Sequence, residues 1–485
     1  RRHSSAASDV YKRQGMLLCI LSLFMMIPAF VDWLYGNNDW PAFVGASLLT
    51  LFVGAILYLS NRDSTTEHLE LRQAFLLTNS AWISIALFGS LPFLLSEIDM
   101  SFTDAIFEST SGITTTGATV INNLEATSHG ILIWRALLQW LGGVGIIVMA
   151  LAVLPMLSIG GMQLFKTESY ETPDKVVPKA ASFAAGISIV YITLTVVWAL
   201  MLWVAGMPLF DSIAHAMTTL ATGGYSTRSD SLAAFNSSSI EIIVIFGMIV
   251  GSLPFVHYLA ITKKGLKNLF KDDQVKLFLT LIVFVVLIVS IYLNLNGIPF
   301  LEALRLASFN VISIITGTGF GTSDFNNWGG FPTTILLILM FIGGCAGSTT
   351  CGLRMARIQV LVANAKAQIS KLIRPHAVVV SYYNQKPIPE NVAESVMGFF
   401  FLYIISFAVI ACLLGGLGLD LITAISGAAS AIGNVGPGLG DIIGPSGTYQ
   451  SIPELGKLFL CAGMILGRLE IFAILVMFSP LFWKN

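Results

Sequence analysis

Residues 107–118 read FESTSGITTTGA, and their plan returns three more times: IAHAMTTLATGG at 213–224, FNVISIITGTGF at 309–320 and SGAASAIGNVGP at 426–437. Each copy begins with small, helix-compatible residues and ends in a short run built on Gly, Thr, Asn or Val. One glycine stands ten residues after the first residue quoted: Gly117, Gly223, Gly319 and Gly436. Four similar but non-identical loops in one chain point to one pore with a pseudo-fourfold lining, since a ring of backbone loops can replace an ion's water shell.

Composition says what surrounds these loops. The chain has 485 residues, of which 55% are hydrophobic and only 11% charged, and its mean hydropathy is +0.80. Soluble domains carry roughly 25% charge. This is an all-α polytopic membrane protein, with the lipid bilayer as its solvent. A net charge of −1 gives no electrostatic case for nucleic acid. Cys19, Cys345, Cys351, Cys412 and Cys461 show neither a metal-binding spacing nor a disulfide framework.

A crossing helix needs about 20 apolar residues. Ten stretches qualify: 16–34, 41–60, 74–95, 130–156, 182–206, 239–261, 277–297, 331–360, 394–418 and 455–482. The first two stand alone. The other eight pair around the four loops, so the repeating unit is span, half-span helix, extended loop, span. The expected organisation is two N-terminal transmembrane helices over 15–61 and pore repeats over 70–160, 178–265, 274–365 and 390–485. Residues 1–14, RRHSSAASDVYKRQ, differ in character from the apolar stretch that begins at residue 16 and are read as an extension outside the fold.

Charge orients the chain. One set of inter-span segments concentrates Lys and Arg, as in Lys263, Lys264, Lys267, Lys271 and Lys276, then Arg354, Arg357, Lys366, Lys371 and Arg374. The opposite set holds Arg228 and Arg305 together with Glu97, Asp99, Asp104, Glu108, Glu125, Asp211, Asp230, Glu302, Asp324, Asp420 and Asp441. Basic loops face the cytoplasm. The repeated loops are therefore expected to enter from outside, with both termini cytoplasmic, and the acidic outer face to concentrate cations.

The loops themselves carry the chemistry. Non-helical backbone at membrane depth must line a cavity or lie buried in protein. The candidate lining is Thr115–Thr116–Gly117, Ala221–Thr222–Gly223, Gly317–Thr318–Gly319 and Asn434–Val435–Gly436. No carboxylate stands among them, whereas calcium sites use carboxylates. A neutral carbonyl ring suits a weakly hydrated monovalent cation, and the C-terminal ends of the supporting helices favour positive charge.

On these four glycine-centred loops the chain, after residue 15, resembles the Trk/Ktr superfamily of bacterial potassium uptake proteins, in particular its TrkH/TrkG-type membrane subunits. The resemblance implies four span–pore helix–span repeats around one pore and a potassium filter at the twelve residues just named. It also implies a homodimer and regulation by a cytoplasmic nucleotide-binding ring of the TrkA type. Potassium is then the transported substrate, and no cofactor, catalytic residue or enzymatic activity is expected. The two extra N-terminal spans favour the Trk branch over the shorter Ktr subunits.

Two features inside the bundle fit a gate. The second span of repeat 3 contains GGCAGSTTCG at 343–352. Glycine lowers helix propensity by about 1 kcal/mol per residue, so Gly343, Gly344, Gly347 and Gly352, with Ser348 and Thr349, mark either close helix packing or a broken helix crossing below the filter. The resemblance favours the intramembrane gating loop. The string GCAGST lacks the lysine and preceding strand of a phosphate loop, so nucleotide binding is excluded. Arg468 lies deep in the last span, where an unpaired arginine is costly. Glu470 is two positions on and faces elsewhere, which leaves Arg468 to snorkel or to face the ion path. Arg135 sits near a span end, where snorkelling suffices. Gly142, Gly143 and Gly145 read as packing positions. The segment 158–181 and the basic run at 261–274 read as interfacial anchors or a docking face for the regulatory subunit.

The expected function is potassium uptake across the bacterial inner membrane through a channel-like, partner-gated pore. The alternative is a sodium- or proton-coupled symporter using the same filter. Inverted repeats would favour a secondary transporter, but all four units run in one direction. A membrane enzyme would need clustered His, Asp or Glu within the spans, and the six histidines are isolated. A purely structural role would leave four registered loops unexplained.

Overall fold

The computed structural model describes residues 2–62, 71–149, 176–376, 379–384 and 386–484. Two long helices, Arg2–Tyr35 and Trp40–Ser60, pack against each other at the N-terminus. The first starts at Arg2 and buries Asp9 and Val10, so residues 2–14 prolong a helix they had been expected to precede.

Four units come next. Their first helices are Leu71–Gly89 with its continuation Leu91–Leu95, Val176–Val204, Asp273–Leu295 and Glu390–Gly416. Each leads into a short helix: Phe102–Ile113, Leu209–Leu220, Phe300–Ile315 or Leu421–Gly433. Two of these start on a side-chain cap, where Ser101 accepts from the Asp104 amide and Asp420 from the Thr423 amide; the other two follow Pro208 and Pro299. With 12, 12, 16 and 13 residues at about 1.5 Å each, none crosses a hydrocarbon core of about 30 Å.

The closing helices depart from the expected count of ten spans. Among the described residues, seven helices are long and apolar enough to cross, or eight if one strongly bent pair counts as a span. The shortfall comes from breaks in three closing helices. In repeat 2, Ser238–Gly251 stops ahead of Pro254, and Phe255–Lys264 resumes. In repeat 3, Gly330–Leu339 and Met355–Ile373 are separated by the glycine-rich segment 340–354. In repeat 4, Glu454–Arg468 turns by 110° into Ile471–Phe478, with Glu470 at φ 67°. Repeat 1 closes with His129–Val148. The expected docking segment 158–181 lies, for residues 158–175, outside the described residues.

The breaks in repeats 2 and 3 complete each other's hydrogen bonding. Where the repeat 2 helix ends, the Gly251 carbonyl accepts from the Thr349 amide at 3.2 Å and the Ser252 carbonyl from the Cys345 amide at 3.0 Å. In return, the Phe255 amide donates to the Gly347 carbonyl at 3.0 Å. Backbone that leaves a helix inside the membrane is thus satisfied within the protein, as it must be.

Glycine lets the closing helices approach the short ones. A Cβ at Gly142 would overlap the Ile113 carbonyl oxygen at the end of the first short helix, and one at Gly467 would overlap the Ile432 carbonyl oxygen at the end of the fourth. By contrast, a Cβ at Gly145 would meet only Trp82, at 3.7 Å. Gly142→Val should therefore cost about 1–3 kcal/mol by overpacking, seen as a lower thermal unfolding midpoint of the detergent-purified protein. Gly145→Ala, which has room for its Cβ and a better helix propensity, should not lower that midpoint.

Candidate functional site

Each short helix ends in the same backbone sequence of turns. The first residue of the loop has positive φ: Thr115 55°, Thr222 49°, Gly317 65° and Asn434 52°. Two residues later a glycine repeats the sign: Gly117 86°, Gly224 77°, Gly319 81° and Gly436 106°. Between them, the amides of Thr116, Gly223, Thr318 and Val435 donate back to Ser111, Thr218, Ser313 and Ser430 at 2.9–3.0 Å. Dihedrals and hydrogen bonds therefore give one register, in which Thr116, Gly223, Thr318 and Val435 are equivalent.

This register corrects the second copy by one residue. The equivalent of Gly117, Gly319 and Gly436 is Gly224, and the loop is Thr222–Gly223–Gly224. Ala221 is the C-cap of the short helix and stands outside the loop. The tandem glycines concealed the shift, because either one satisfies a spacing rule and only the helix end decides between them. Thr115 and Thr222 hold a conformation that β-branched residues rarely adopt, at a cost of about 1–3 kcal/mol each.

The four loops close on one another in cyclic order. A Cβ at Gly117 would overlap the Gly223 carbonyl oxygen, one at Gly224 that of Thr318, one at Gly319 that of Val435 and one at Gly436 that of Thr116. Each glycine thus seats the preceding-position carbonyl of the next repeat, and the fourth returns to the first. Gly117, Gly224, Gly319 and Gly436 line a single depression of about 140 Å³, whose wall also includes Arg228 and Asp230. Nearby, a larger cavity of about 700 Å³ is bordered by Asp39, Glu97, Asp99, Asp104 and Glu125.

Polar side chains hold the ring from behind. Nine positions before each ring glycine stand Glu108, His215, Asn310 and Gly427. Glu108 accepts from Thr119 Oγ1 and the Val120 amide, both at 3.0 Å; His215 Nε2 bonds Ser226 Oγ at 3.0 Å; Asn310 Nδ2 donates to Thr322 Oγ1 at 3.1 Å. In three repeats a serine hydroxyl also donates into the strand leaving the ring: Ser111 to the Ala118 carbonyl, Ser313 to that of Phe320 and Ser430 to that of Gly436. The Tyr449 hydroxyl adds a bond to the Gly436 carbonyl at 2.8 Å.

Several charges stand elsewhere than expected. Arg135 does not snorkel: it is 1% exposed, pairs with the fully buried Glu108 at 2.7 Å, donates to the Ser226 carbonyl and lies over the Tyr225 ring. Glu108 and Asp211 are buried bracing groups, and Asp211 accepts from Thr227 Oγ1 and Arg228. Lys457 adds a basic residue to the face of the loops, bonded to Asp104. Arg354 and Arg357, counted among the basic surface residues, are buried against Glu470 at the bend of the last helix. Sequence had offered no partner for these groups, since each pair comes from different elements.

Below the ring lies segment 340–354, a broken helix. Gly343 donates to the Leu353 carbonyl and Gly344 accepts from the Met355 amide, which close its base. Gly347 and Gly352 have φ of 80° and 73°. At the tip, Ser348 Oγ bonds Cys345 and Thr350, while Thr349 Oγ1 bonds Thr222 Oγ1 of the ring at 3.0 Å and the Gly251 carbonyl at 2.9 Å. Arg468 joins this loop to repeat 1. Its two terminal nitrogens donate to the Thr349 carbonyl at 3.0 Å, Cys351 Sγ at 2.7 Å and the Gly142 carbonyl at 2.8 Å. It is 1% exposed, and its Nε has no hydrogen-bond partner among the described residues.

A helical bundle whose four half-span loops close into a ring defines a multi-pass membrane transport protein. The TrkH family, described as cation transport proteins, matches residues 40–484, and the chain belongs to it. It is a transport protein and not an enzyme. It is 38% identical over 479 residues to the Trk system potassium uptake protein TrkI of Halomonas elongata, covering 99% of this chain and 97% of that one. It is 37% identical to TrkH of Escherichia coli K12, with 97% and 98% covered. The crystal structure of the potassium transporter TrkH from Vibrio parahaemolyticus superposes with a TM-score of 0.91 at 35% identity, covering 98% of this chain and 99% of that chain.

The Glu108–Arg135 pair should be strongly coupled. Glu108→Ala leaves a buried guanidinium without its carboxylate and should cost about 3–5 kcal/mol. The double variant Glu108→Ala/Arg135→Ala should cost less than the sum of the two single changes. Thermal unfolding of all four forms in one detergent measures both.

Proposed function

We propose that the chain carries potassium across the bacterial inner membrane through the ring of Thr115–Thr116–Gly117, Thr222–Gly223–Gly224, Gly317–Thr318–Gly319 and Asn434–Val435–Gly436, in a channel-like manner. The cyclic closure of the four loops is the observation that carries this reading. Such a ring offers neutral backbone oxygens and no carboxylate, which suits a cation that gives up its water readily. The names of the relatives, all potassium uptake proteins, agree with it. Both termini are taken as cytoplasmic on the charge bias.

In this reading segment 340–354, with Gly343, Gly344, Gly347, Ser348, Thr349 and Gly352, obstructs the path below the ring, and Arg468 adds an electrostatic barrier while holding the obstruction in place. A charge in a low-dielectric passage acts more strongly than in water. Control falls to a cytoplasmic nucleotide-binding ring of the TrkA type, and the protein works as a homodimer with one pore per subunit. Ile369, Leu372 and Ile373 leave an uncovered apolar surface at the end of the helix Met355–Ile373, which is suited to such contacts.

Two experiments test the reading. Gly319→Ser places a side chain against the Val435 carbonyl and should lower the potassium-to-sodium permeability ratio by about tenfold, a free-energy change of about 1.4 kcal/mol. Reversal potentials of purified protein in bilayers measure this, and an unchanged ratio for such changes in all four repeats overturns the ring assignment. Flux into liposomes that requires a sodium or proton gradient would replace the channel by a coupled symporter using the same ring. Arg468→Ala and Arg468→Gln should both raise basal potassium flux by about tenfold or more, whereas Arg468→Lys should stay close to the original. Equal flux in all of these variants removes the barrier role.

A further inference from the structure

At the middle level of the ring three repeats carry a branched side chain, Thr116, Thr318 and Val435, and the second carries Gly223. The space beside Gly223 is filled by another repeat. Gln139, on the closing helix His129–Val148 of repeat 1, is fully buried, and a Cβ at Gly223 would overlap its Cδ. Its Nε2 donates to the Gly223 carbonyl at 2.6 Å, and its Oε1 accepts from the Tyr225 amide at 3.1 Å. The amide orientation is set by these partners, since a backbone N–H only donates and a carbonyl only accepts.

This bond makes one ring oxygen unlike the others. Among the described residues the carbonyls of Thr116, Thr318 and Val435 accept no hydrogen bond. The Gly223 oxygen sits against Gly117 just as its counterparts sit against their own neighbouring glycines, yet it is also held from outside. Glycine leaves its own backbone the least restrained of any residue. With no branched side chain to wedge it, the Gly223–Gly224 peptide depends on Gln139 for its position.

We propose that Gln139 is a positioning residue for ion selection. Its amide replaces the side chain that repeat 2 lacks and keeps the Gly223 oxygen from closing onto a cation smaller than potassium. The proposal rests on the ring being the ion path. A ring that cannot contract leaves a small, strongly hydrated ion under-coordinated, and this is the sense in which cavity geometry selects.

The test uses the purified full-length protein in planar bilayers. Gln139→Met keeps the length and flexibility of the side chain but removes both hydrogen bonds. It should lower the potassium-to-sodium permeability ratio by about fivefold, the effect of losing the one net hydrogen bond that holds the Gly223 oxygen, with potassium flux retained. Gly223→Ala alone should also lower the ratio, because its Cβ displaces Gln139. Gly223→Ala combined with Gln139→Ala, where the obstruction is gone, should unfold at a higher temperature than Gly223→Ala alone. A Gln139→Met protein that loses flux for both ions at an unchanged ratio assigns Gln139 a structural role only and overturns the proposal. So does Gly223→Ala unfolding at the same temperature with Gln139 and with Gln139→Ala, since the space at Gly223 is then not held by Gln139. Gly319→Ser, run alongside, separates the two levels. If it shifts the ratio while Gln139→Met does not, the ring stands and the positioning role fails. If neither shifts the ratio, the positioning role fails, and the glycine changes in the other three repeats decide whether the ring reading fails with it.

Discussion

Peptide groups that leave a helix inside hydrocarbon find no water, and every unusual feature of this chain answers that constraint. Four helices too short to cross hand their backbone to loops whose carbonyls seat against the preceding repeat's glycine. The seating is possible only where the Cα bears no side chain. Left-handed turns at Thr115 and Thr222 carry a conformational cost, and a dense set of buried polar contacts holds them: Glu108 with Arg135, His215 with Ser226, Ser111 with the Ala118 carbonyl. Removing the ring would leave these groups with no purpose, and removing them would leave the ring with nothing to resist its collapse.

The same constraint explains the broken closing helices. A span interrupted by glycine or preceded by proline exposes carbonyls, and in repeats 2 and 3 the two interruptions meet and satisfy each other through Thr349, Cys345 and Phe255. Arg468 adds a second tie, reaching both the Thr349 and Gly142 carbonyls. Its hydrogen bonds are to backbone carbonyls and a thiol, and among the described residues it makes no ion pair with a carboxylate. Glu470 is committed to Arg354 and Arg357 at the bend. The base of the segment packs through Met340, Cys345 and Leu353, whereas its tip at Ser348 and Thr349 is held by directional bonds.

Pseudo-fourfold symmetry in a single chain permits differences that a symmetric tetramer could not hold. The four residues nine positions before the ring glycines are Glu, His, Asn and Gly; the first three brace the loop through different side-chain hydrogen bonds, and the fourth offers no side chain. The middle ring position is Thr, Gly, Thr and Val, and the gap at the glycine is taken by Gln139 from a neighbouring repeat. The repeats therefore hold one ring with different residues.

The membrane class, the four repeats, the positions of three of the four loops and the interruption at 343–352 are all legible in the amino-acid sequence. They rest on local quantities: hydropathy over about 20 residues, the spacing of glycines, and the collapse of helix propensity where glycines cluster. Local quantities do not resolve Gly223 from Gly224, because the choice depends on where the preceding helix ends. Nor do they show that Arg135 is buried, that Gln139 serves repeat 2, or that Glu470 pairs with Arg354 and Arg357. Those contacts join residues from about 27 to 116 positions apart, and long-range pairing leaves no periodic trace in a sequence. They exist only in the folded chain, because a buried charge or carbonyl in a membrane must find its partner wherever the fold brings one within reach.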